Sequence, residues 1–146
     1  MIDVQYPKPE FRIKNENDQR YIFDRLRKTW LVLTEEEWVR QNFILYLVEV
    51  LKYPSSVIAV EKEIQLNELK KRFDILVYDA GYKPWMLVEC KEPGVSLSED
   101  VLRQVLRYNI SVPVDYIVIT NGNQTIGWKK EADLQLLTEL PAWQKT

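Results

Sequence analysis

The sequence has no histidine and a single cysteine, Cys90, among its 146 residues. Without histidine there is no Ser-His-Asp or Cys-His machinery, no imidazole general base and no zinc site that uses imidazole ligands. One cysteine excludes an intrachain disulfide and a cysteine-rich zinc site. Metal or acid–base chemistry must therefore use carboxylates, lysine, tyrosine or water, and carboxylate oxygens suit hard ions such as Mg²⁺ and Mn²⁺.

Long apolar runs and a surplus of positive charge are also lacking. The longest strongly apolar run, residues 43–51, is interrupted by Glu49 and is far shorter than the roughly 18 residues of a membrane span. Asp3 and Glu10 occupy the region where a signal peptide would be basic and then apolar, so we expect a cytoplasmic protein with no membrane partner. The net charge of -2 argues against a general nucleic-acid coating protein.

Two short basic clusters stand out in this mildly acidic chain. They are Arg25, Arg27 and Lys28, and Lys70, Lys71 and Arg72. Each cluster either faces a phosphate backbone or is ordinary solvated surface, and the sequence leaves both interpretations open.

The first half of the chain predicts a hairpin, a helix and three strands. Strand-like runs at 20–23 and 29–33 predict an N-terminal β-hairpin over about 20–33. Thr34 and Glu37 have the spacing of a capping box, and the broad apolar face that follows predicts a core helix to about Lys52, because Tyr53-Pro54 ends it. The predicted strands that follow are 57–66, 72–78 and 85–90.

The second half predicts another helix and two more strands. Ser96 and Glu99 have capping-box spacing and open a helix that stops before Pro113. Strands at 114–120 and 125–129 flank a turn, and 134–140 predicts a short terminal helix. The order of elements predicts a single α/β domain over 1–146, with a central mixed β-sheet flanked by helices, a core at about 34–130 and a short C-terminal extension.

Three charged residues on two predicted neighbouring strands carry the chemistry. Glu89 and Lys91 are two residues apart, so they share one face of their strand. A type II′ hairpin turn centred on Gly81-Tyr82 would place residues whose numbers sum to 163 opposite each other, and Asp74 then faces Glu89. Opposed carboxylates about 5 Å apart destabilise a sheet unless a cation neutralises them. Asp74, Glu89 and the backbone carbonyl of Cys90 therefore predict a Mg²⁺ site.

Phosphodiester hydrolysis is the reaction that such a site favours. A bound ion polarises a phosphoryl oxygen and lowers the pKa of a bound water, and Lys91 can orient that water or stabilise developing charge. The alternative is that these are ordinary charged residues on an exposed sheet face. The neighbouring runs 75–77 and 86–88 favour the metal site, because they predict burial on both faces, where unassisted carboxylates are unusual.

The motif residues resemble a known nuclease superfamily. Asp74 followed by Glu89-Cys90-Lys91 resembles the PD-(D/E)xK motif, with Phe73 where the name has proline. The chain also resembles the amino-terminal nuclease domain of type I restriction enzyme R subunits, and the resemblance covers nearly all of the chain from about residue 20. The segments that carry it are 71–78, 87–91, Gln104-x-x-x-Tyr108, Thr34-x-x-Glu37-Trp38-Val39-Arg40-Gln41 and Thr120-Asn121-Gly122.

This resemblance implies a restriction-endonuclease-like sandwich and a role for each matching residue. Asp74 and Glu89 would be metal ligands and Lys91 the catalytic lysine, with Mg²⁺ or Mn²⁺ as cofactor. Gln104 and Tyr108 would approach the site and the DNA, although by spacing alone they are also an ordinary helix-surface pair. Other restriction–modification subunits are the implied partners, and a homodimer for duplex cutting rests on analogy.

Four further residues have two interpretations each. Glu37 is either the family's first-helix acid or only the capping-box residue. Arg40 and Gln41 share its side of the helix, as a polar cluster that assists nucleic-acid binding or as an exposed ion pair. Arg72 either contacts phosphate bidentately or is solvated.

A type I restriction subunit also has a motor, and this sequence contains no G-x-x-x-x-G-K-[ST] phosphate loop. The resemblance therefore implies a Mg²⁺-dependent endonuclease-like domain, whether standalone, acting with other subunits or part of something longer. The rival hypothesis is a catalytically inactive nucleic-acid-binding or protein-interaction module of the same fold. The acidic pI favours this rival, and the intact Asp74, Glu89 and Lys91 oppose it.

Overall fold

A computed structural model describes residues 1–66 and 68–143. The chain begins with a small antiparallel sheet of three strands: β1 (Ile13–Glu16), β2 (Gln19–Asp24) and β3 (Thr29–Val32). The predicted N-terminal hairpin corresponds to β2 and β3, and the additional strand β1 precedes it. Asn17 and Asp18 join β1 to β2 with φ of 52° and 62°, which is the backbone of a type I′ turn that these residue types tolerate.

The first helix, α1 (Glu35–Leu45), begins where the sequence predicts. Thr34 is its N-cap, and the Thr34 hydroxyl accepts a hydrogen bond from the Glu37 backbone N–H at 3.0 Å. The helix continues as a π-helical turn, Tyr46–Val50. It therefore ends two residues short of the predicted Lys52, which has a φ of 61° that no helix continues.

A mixed sheet forms the centre of the molecule, as the sequence predicts, and it has six strands where the sequence predicts five. Its strands, in spatial order, are β4 (Ile58–Leu66), β5 (Leu69–Tyr78), β6 (Pro84–Cys90), β7 (Tyr116–Thr120), β8 (Thr125–Lys130) and β9 (Leu134–Leu136). Only β6 and β7 pair in parallel among the described strands. The helix α2 (Glu99–Asn109) makes the crossover between them, as parallel pairing requires.

Two predictions in the C-terminal half are wrong in detail. The N-cap of α2 is Ser98, which accepts from the Val101 N–H at 3.3 Å, and not Ser96. The predicted terminal helix at 134–140 is instead the edge strand β9, antiparallel to β8. Leu134 and Leu136 are exposed, so the apolar spacing does not mark a buried helix face, and β8 supplies the backbone partners that decide the structure.

The central sheet is buried on both faces, which makes a three-layer sandwich. One face packs against α1, through Ile75, Val77, Met86, Val88, Val39, Phe43 and Leu47. The other packs against α2 and its flanking loops, through Phe73, Leu76, Leu87, Ile117, Ile119, Leu97 and Val105. In the described part of the chain, no helix is long and apolar enough to cross a membrane.

Candidate active site

Strands β5 and β6 position the two predicted carboxylates. Ile75 lies opposite Val88, Leu76 opposite Leu87 and Val77 opposite Met86. Each pair of numbers sums to 163, as the sequence predicts, and one more step along this register brings Asp74 beside Glu89.

The turn that sets this register is not the predicted one. The Asp79 N–H donates to the Lys83 carbonyl at 2.9 Å and the Tyr82 N–H to the Asp79 carbonyl at 3.1 Å, which encloses a three-residue loop. Tyr82 has the positive φ, 61°, where a type II′ turn would need it at Gly81. The odd loop length alone would shift the pairing by one residue, and an irregularity between Val77 and Tyr78 restores it.

Asp74 is fixed from two directions. Its Oδ2 accepts a hydrogen bond from the Cys90 backbone N–H at 2.7 Å, and its Oδ1 accepts one from Arg40 Nη2 at 3.1 Å. The first bond ties the carboxylate to the end of β6, next to Glu89, and the second ties it to α1. Asp74 is therefore oriented at the junction of the sheet and the helix.

Glu89 is a carboxylate whose ionised form the site disfavours. Burial, together with the charge of Asp74, raises the pKa of Glu89 from 4.5 to about 7, although Lys91 acts in the opposite direction. The Lys91 ammonium lies 3.8 Å from Glu89 Oε1, too far for a strong hydrogen bond. The Glu89 carboxylate is thus incompletely neutralised beside Asp74, which is the condition that favours binding of a cation.

Lys91 lies directly after β6 and still follows the strand pairing. Its backbone N–H donates to the Thr120 carbonyl at 2.8 Å, which extends the parallel ladder between β6 and β7 by one residue. The alternation of the strand therefore holds through position 91, and Lys91 remains on the face of Glu89. About a third of its side chain is exposed.

Arg40 is the centre of a buried charge cluster. Its guanidinium contacts Glu36 Oε1 at 3.0 Å, Glu61 Oε1 at 3.2 Å and Asp74 Oδ1 at 3.1 Å, and it also pairs with Glu37. Only 7% of the Arg40 side chain is exposed. This position occupies the guanidinium with carboxylates and leaves little of it to meet a phosphate, contrary to the predicted contact with nucleic acid.

Glu37 and Gln41 belong to the same buried cluster. The Gln41 amide donates to Glu37 Oε2 at 3.0 Å, and Arg40 binds the other carboxylate oxygen. Glu37 therefore directs its side chain inward, while its backbone N–H makes the bond to the helix cap. Both Glu37 and Gln41 are about 5% exposed, so Gln41 does not lie on an open nucleic-acid-binding surface.

Glu36, also on the first helix, is an acid near the site that the sequence analysis did not name. Burial raises the pKa of Glu36, and so does the charge of Asp74, while Arg40 and Lys91 lower it. Glu36 thus interacts electrostatically with the residues of the predicted metal site. The capping-box spacing drew attention to Glu37. The i, i+4 spacing between Glu36 and Arg40 could have indicated that Glu36 also pairs with Arg40.

A cleft of about 370 Å³ brings the helix motif to the carboxylate site. Glu89 and Lys91 line it from the sheet, and Gln104 and Tyr108 line it from α2. Tyr108 is 53% exposed. Both members of the predicted helix pair therefore line the same cleft as Glu89 and Lys91.

Lys71 and Arg72, two residues of the second basic cluster, lie in different environments. Lys71 is buried, donates to the Tyr108 carbonyl and lies with its Nζ 4.4 Å from the centre of the Tyr108 ring. It supports the end of α2, so both interpretations of Lys71, as phosphate-facing and as ordinary solvated surface, are wrong. Arg72 is two-thirds exposed and donates to Glu61 Oε2 at 2.9 Å.

Asp74 and Glu89 are the side chains that could hold a metal ion. Within residues 1–66 and 68–143, no group of three or more histidine, cysteine, aspartate or glutamate side chains is arranged for metal binding. A cation at this pair would take its remaining ligands from a backbone carbonyl such as that of Cys90, from water or from phosphate. Mg²⁺ fits this donor set, because it is usually bound by one or two carboxylates and retains several waters.

Comparison with known proteins agrees with the motifs and the fold. Among curated proteins, none matches the chain. The family model described as "Type I restriction enzyme R protein N terminus (HSDR_N)" matches residues 35–142. That range contains α1, the whole central sheet and every residue of the candidate site. The chain therefore belongs to the family of type I restriction enzyme R protein N-terminal domains.

Proposed function

We propose that the chain is a Mg²⁺-dependent endonuclease domain that hydrolyses DNA phosphodiester bonds in a restriction–modification system. The observation that carries the proposal is Glu89, an incompletely neutralised carboxylate that lies next to Asp74 and lines a cleft with Lys91. A perturbed ionisable group with charged neighbours in a cleft is typical of a functional site. The family supplies the restriction context and the other subunits as expected partners.

The residues of the site would have separate roles in this reaction. Asp74 and Glu89 would hold Mg²⁺, which when bound polarises the phosphate and makes a bound water more acidic. The Cys90 N–H and Arg40 fix the Asp74 carboxylate in one orientation, so that little reorganisation is needed on binding.

Lys91 would act on the reacting groups themselves. Its ammonium lies at the mouth of the cleft, where it can donate a hydrogen bond to the attacking water or to the negative charge that develops on phosphate. Gln104 and Tyr108 would hold the DNA backbone against the sheet from the α2 side. Arg40 has a positioning role, because it acts through Asp74.

A cleavage assay tests this function. Supercoiled plasmid and a single-stranded oligonucleotide are incubated with Mg²⁺ or Mn²⁺ and with wild type, Glu89→Gln, Lys91→Met or Glu139→Gln. We expect Glu89→Gln and Lys91→Met to lose at least about a hundredfold in rate. Glu139 is exposed and outside the cleft, so Glu139→Gln removes the same charge and should cleave like wild type.

Calorimetry with Mg²⁺ separates the enzyme from an inactive relative. Wild type should bind the ion and Glu89→Gln should bind it much more weakly. If wild type neither cleaves nor binds a divalent ion, the proposal is wrong and a non-catalytic binding module takes its place.

A further inference from the structure

The outward face of the N-terminal sheet carries aromatic side chains. Along β2, Ile22 and Asp24 are fully buried, whereas Tyr21 and Phe23, which alternate with them, are partly exposed. Trp30 of β3 lies opposite Phe23, so it shares the outward face. Ile22 and Asp24 are therefore the inward residues of β2, and the three rings share the opposite face of the sheet.

Two basic side chains lie over these rings. The Arg12 guanidinium is 4.7 Å from the centre of the Phe23 ring and 5.3 Å from that of Trp30. The Lys14 ammonium is 4.5 Å from the centre of the Trp30 ring and also approaches Tyr21. The outward face is therefore a surface of flat rings with two cations among them, of which Lys14 also pairs with Glu16 at 3.1 Å.

Positive charge is concentrated in this part of the chain. Residues 12–33 contain six Lys and Arg against three Asp and Glu, whereas the whole chain has a net charge of -2. One of the three acids, Asp24, is buried and binds Arg27 at 2.6 Å. The segment thus carries +3 and the remainder -5, and a polyanion is attracted to the N-terminal sheet more than to the rest of the protein.

We propose that the outward face of β1, β2 and β3 binds single-stranded nucleic acid. Bases would stack on Trp30, Phe23 and Tyr21, and Arg12 and Lys14 would contact the phosphates. Aromatic platforms beside cations are how proteins bind single strands, because unpaired bases expose their faces and a duplex does not. The strands lie outside the family match at 35–142, and this binding needs no metal and no cleavage.

Single-stranded nucleic acid fits this face better than an acidic peptide does. A peptide of Asp and Glu would use Arg12 and Lys14 but would find nothing to pair with the rings. Only a nucleic acid combines regularly spaced negative charge with flat faces that stack. The same rings and cations also stabilise an isolated sheet, so the experiment must measure binding and folding separately.

Fluorescence anisotropy in EDTA tests the proposal, with a labelled oligothymidylate of about 12 nucleotides as the probe. Trp30→Leu should weaken binding about tenfold, the loss expected from one stacked base. Trp30→Tyr retains a ring and should bind within about threefold of wild type. The matched control is Tyr82→Leu, which removes a 78% exposed ring from the β5–β6 turn and should leave binding unchanged.

The salt dependence tests the phosphate contact. Arg12→Gln should reduce the slope of log affinity against log salt by about 0.7, the value for one single-strand phosphate contact. Lys129→Gln, an exposed lysine on β8, should not. Circular dichroism shows whether each variant folds, and if Trp30→Leu does not, the Arg12→Gln slope decides.

The proposal is wrong if wild type does not bind the oligothymidylate. It is also wrong if a folded Trp30→Leu variant binds the oligothymidylate as tightly as wild type does. Equal competition by polyglutamate would show attraction of any polyanion without stacking. If wild type binds the oligothymidylate in EDTA but neither cleaves nor binds a divalent ion, the nuclease proposal fails and this one stands. If wild type cleaves but does not bind the oligothymidylate in EDTA, the reverse holds, so the two failures are distinguishable.

Discussion

Replacing Glu89 by glutamine should stabilise the metal-free protein, and the gain should grow with pH. Burial, with the nearby Asp74, raises the pKa of Glu89 from 4.5 to about 7. At about 1.4 kcal/mol for each pH unit, ionised Glu89 lowers the unfolding free energy by roughly 3 kcal/mol. Only 26% of the side chain is exposed, so solvent screens this cost weakly.

The direction of this pH dependence follows from the proton that Glu89 binds in the folded protein. Between about pH 4.5 and 7 the folded protein holds a proton on Glu89 that the unfolded chain has released. Unfolding free energy therefore falls as pH rises through this window, and the full cost is present above it. Glutamine carries no charge at any pH, so Glu89→Gln avoids the cost at high pH and gains little at low pH.

Urea denaturation in a chelator measures the effect. At about pH 9 the variant should be more stable than wild type by roughly 3 kcal/mol, and at about pH 5 by less than 1 kcal/mol. Glu139→Gln, an exposed carboxylate, should show no comparable gain at either pH. An equal difference at both values, or no gain at about pH 9, would refute the reasoning. Saturating Mg²⁺ should reduce the difference, because the cation neutralises the same pair.

Two further substitutions test the supports of the site. Arg40→Met should lower the unfolding free energy by about 3–5 kcal/mol, because it leaves buried carboxylates without their partner; a loss below 1 kcal/mol in urea denaturation would contradict this. Lys71→Met should raise KM for a DNA substrate by about three- to tenfold with kcat little changed, because Tyr108 loses a cation contact worth that much. A change confined to kcat would argue against this positioning role.

Asp74 lies beside Glu89 as predicted, although the prediction rested on an even turn centred on Gly81-Tyr82 that the structure does not have. The runs 75–77 and 86–88 are buried on both faces of the sheet, so they carry no alternation that would select a register. The pairing is nevertheless the predicted one, because the effects of a three-residue loop and of an irregularity cancel. Nothing in the sequence distinguishes that combination from an even loop with no irregularity.

The missed strands lack the patterns on which sequence prediction depends. β1 is IKNE with mostly exposed residues, so it has no apolar alternation, although Asn17-Asp18 is a turn signal that could have indicated it. β9 is exposed at all three positions. Its structure depends on pairing with β8, which is a tertiary contact and leaves no local signal.

Helical spacing alone does not predict all the partners of Arg40 in the charge cluster. Spacing places Arg40 on the side of Glu37, but Glu61 and Asp74 arrive from β4 and β5 through the fold. Glu61 has a φ of 51°, an uncommon backbone conformation for a residue with a side chain. Its carboxylate reaches Arg27, Arg40 and Arg72.

The carboxylates in this region differ in how fully neighbouring cations and N–H groups neutralise them. This difference argues for a function at Glu89. Burial works to raise the pKa of Glu61, but the arginines around it lower it overall. Asp74 has both an arginine and a backbone N–H. Glu89 faces the cleft and pairs with the Lys91 ammonium at 3.8 Å, and this ammonium together with the Arg40 charge does not offset its burial. A fold that required only stability would neutralise this carboxylate or replace it, so the cost retained at Glu89 supports the proposal that a cation and a phosphate bind there.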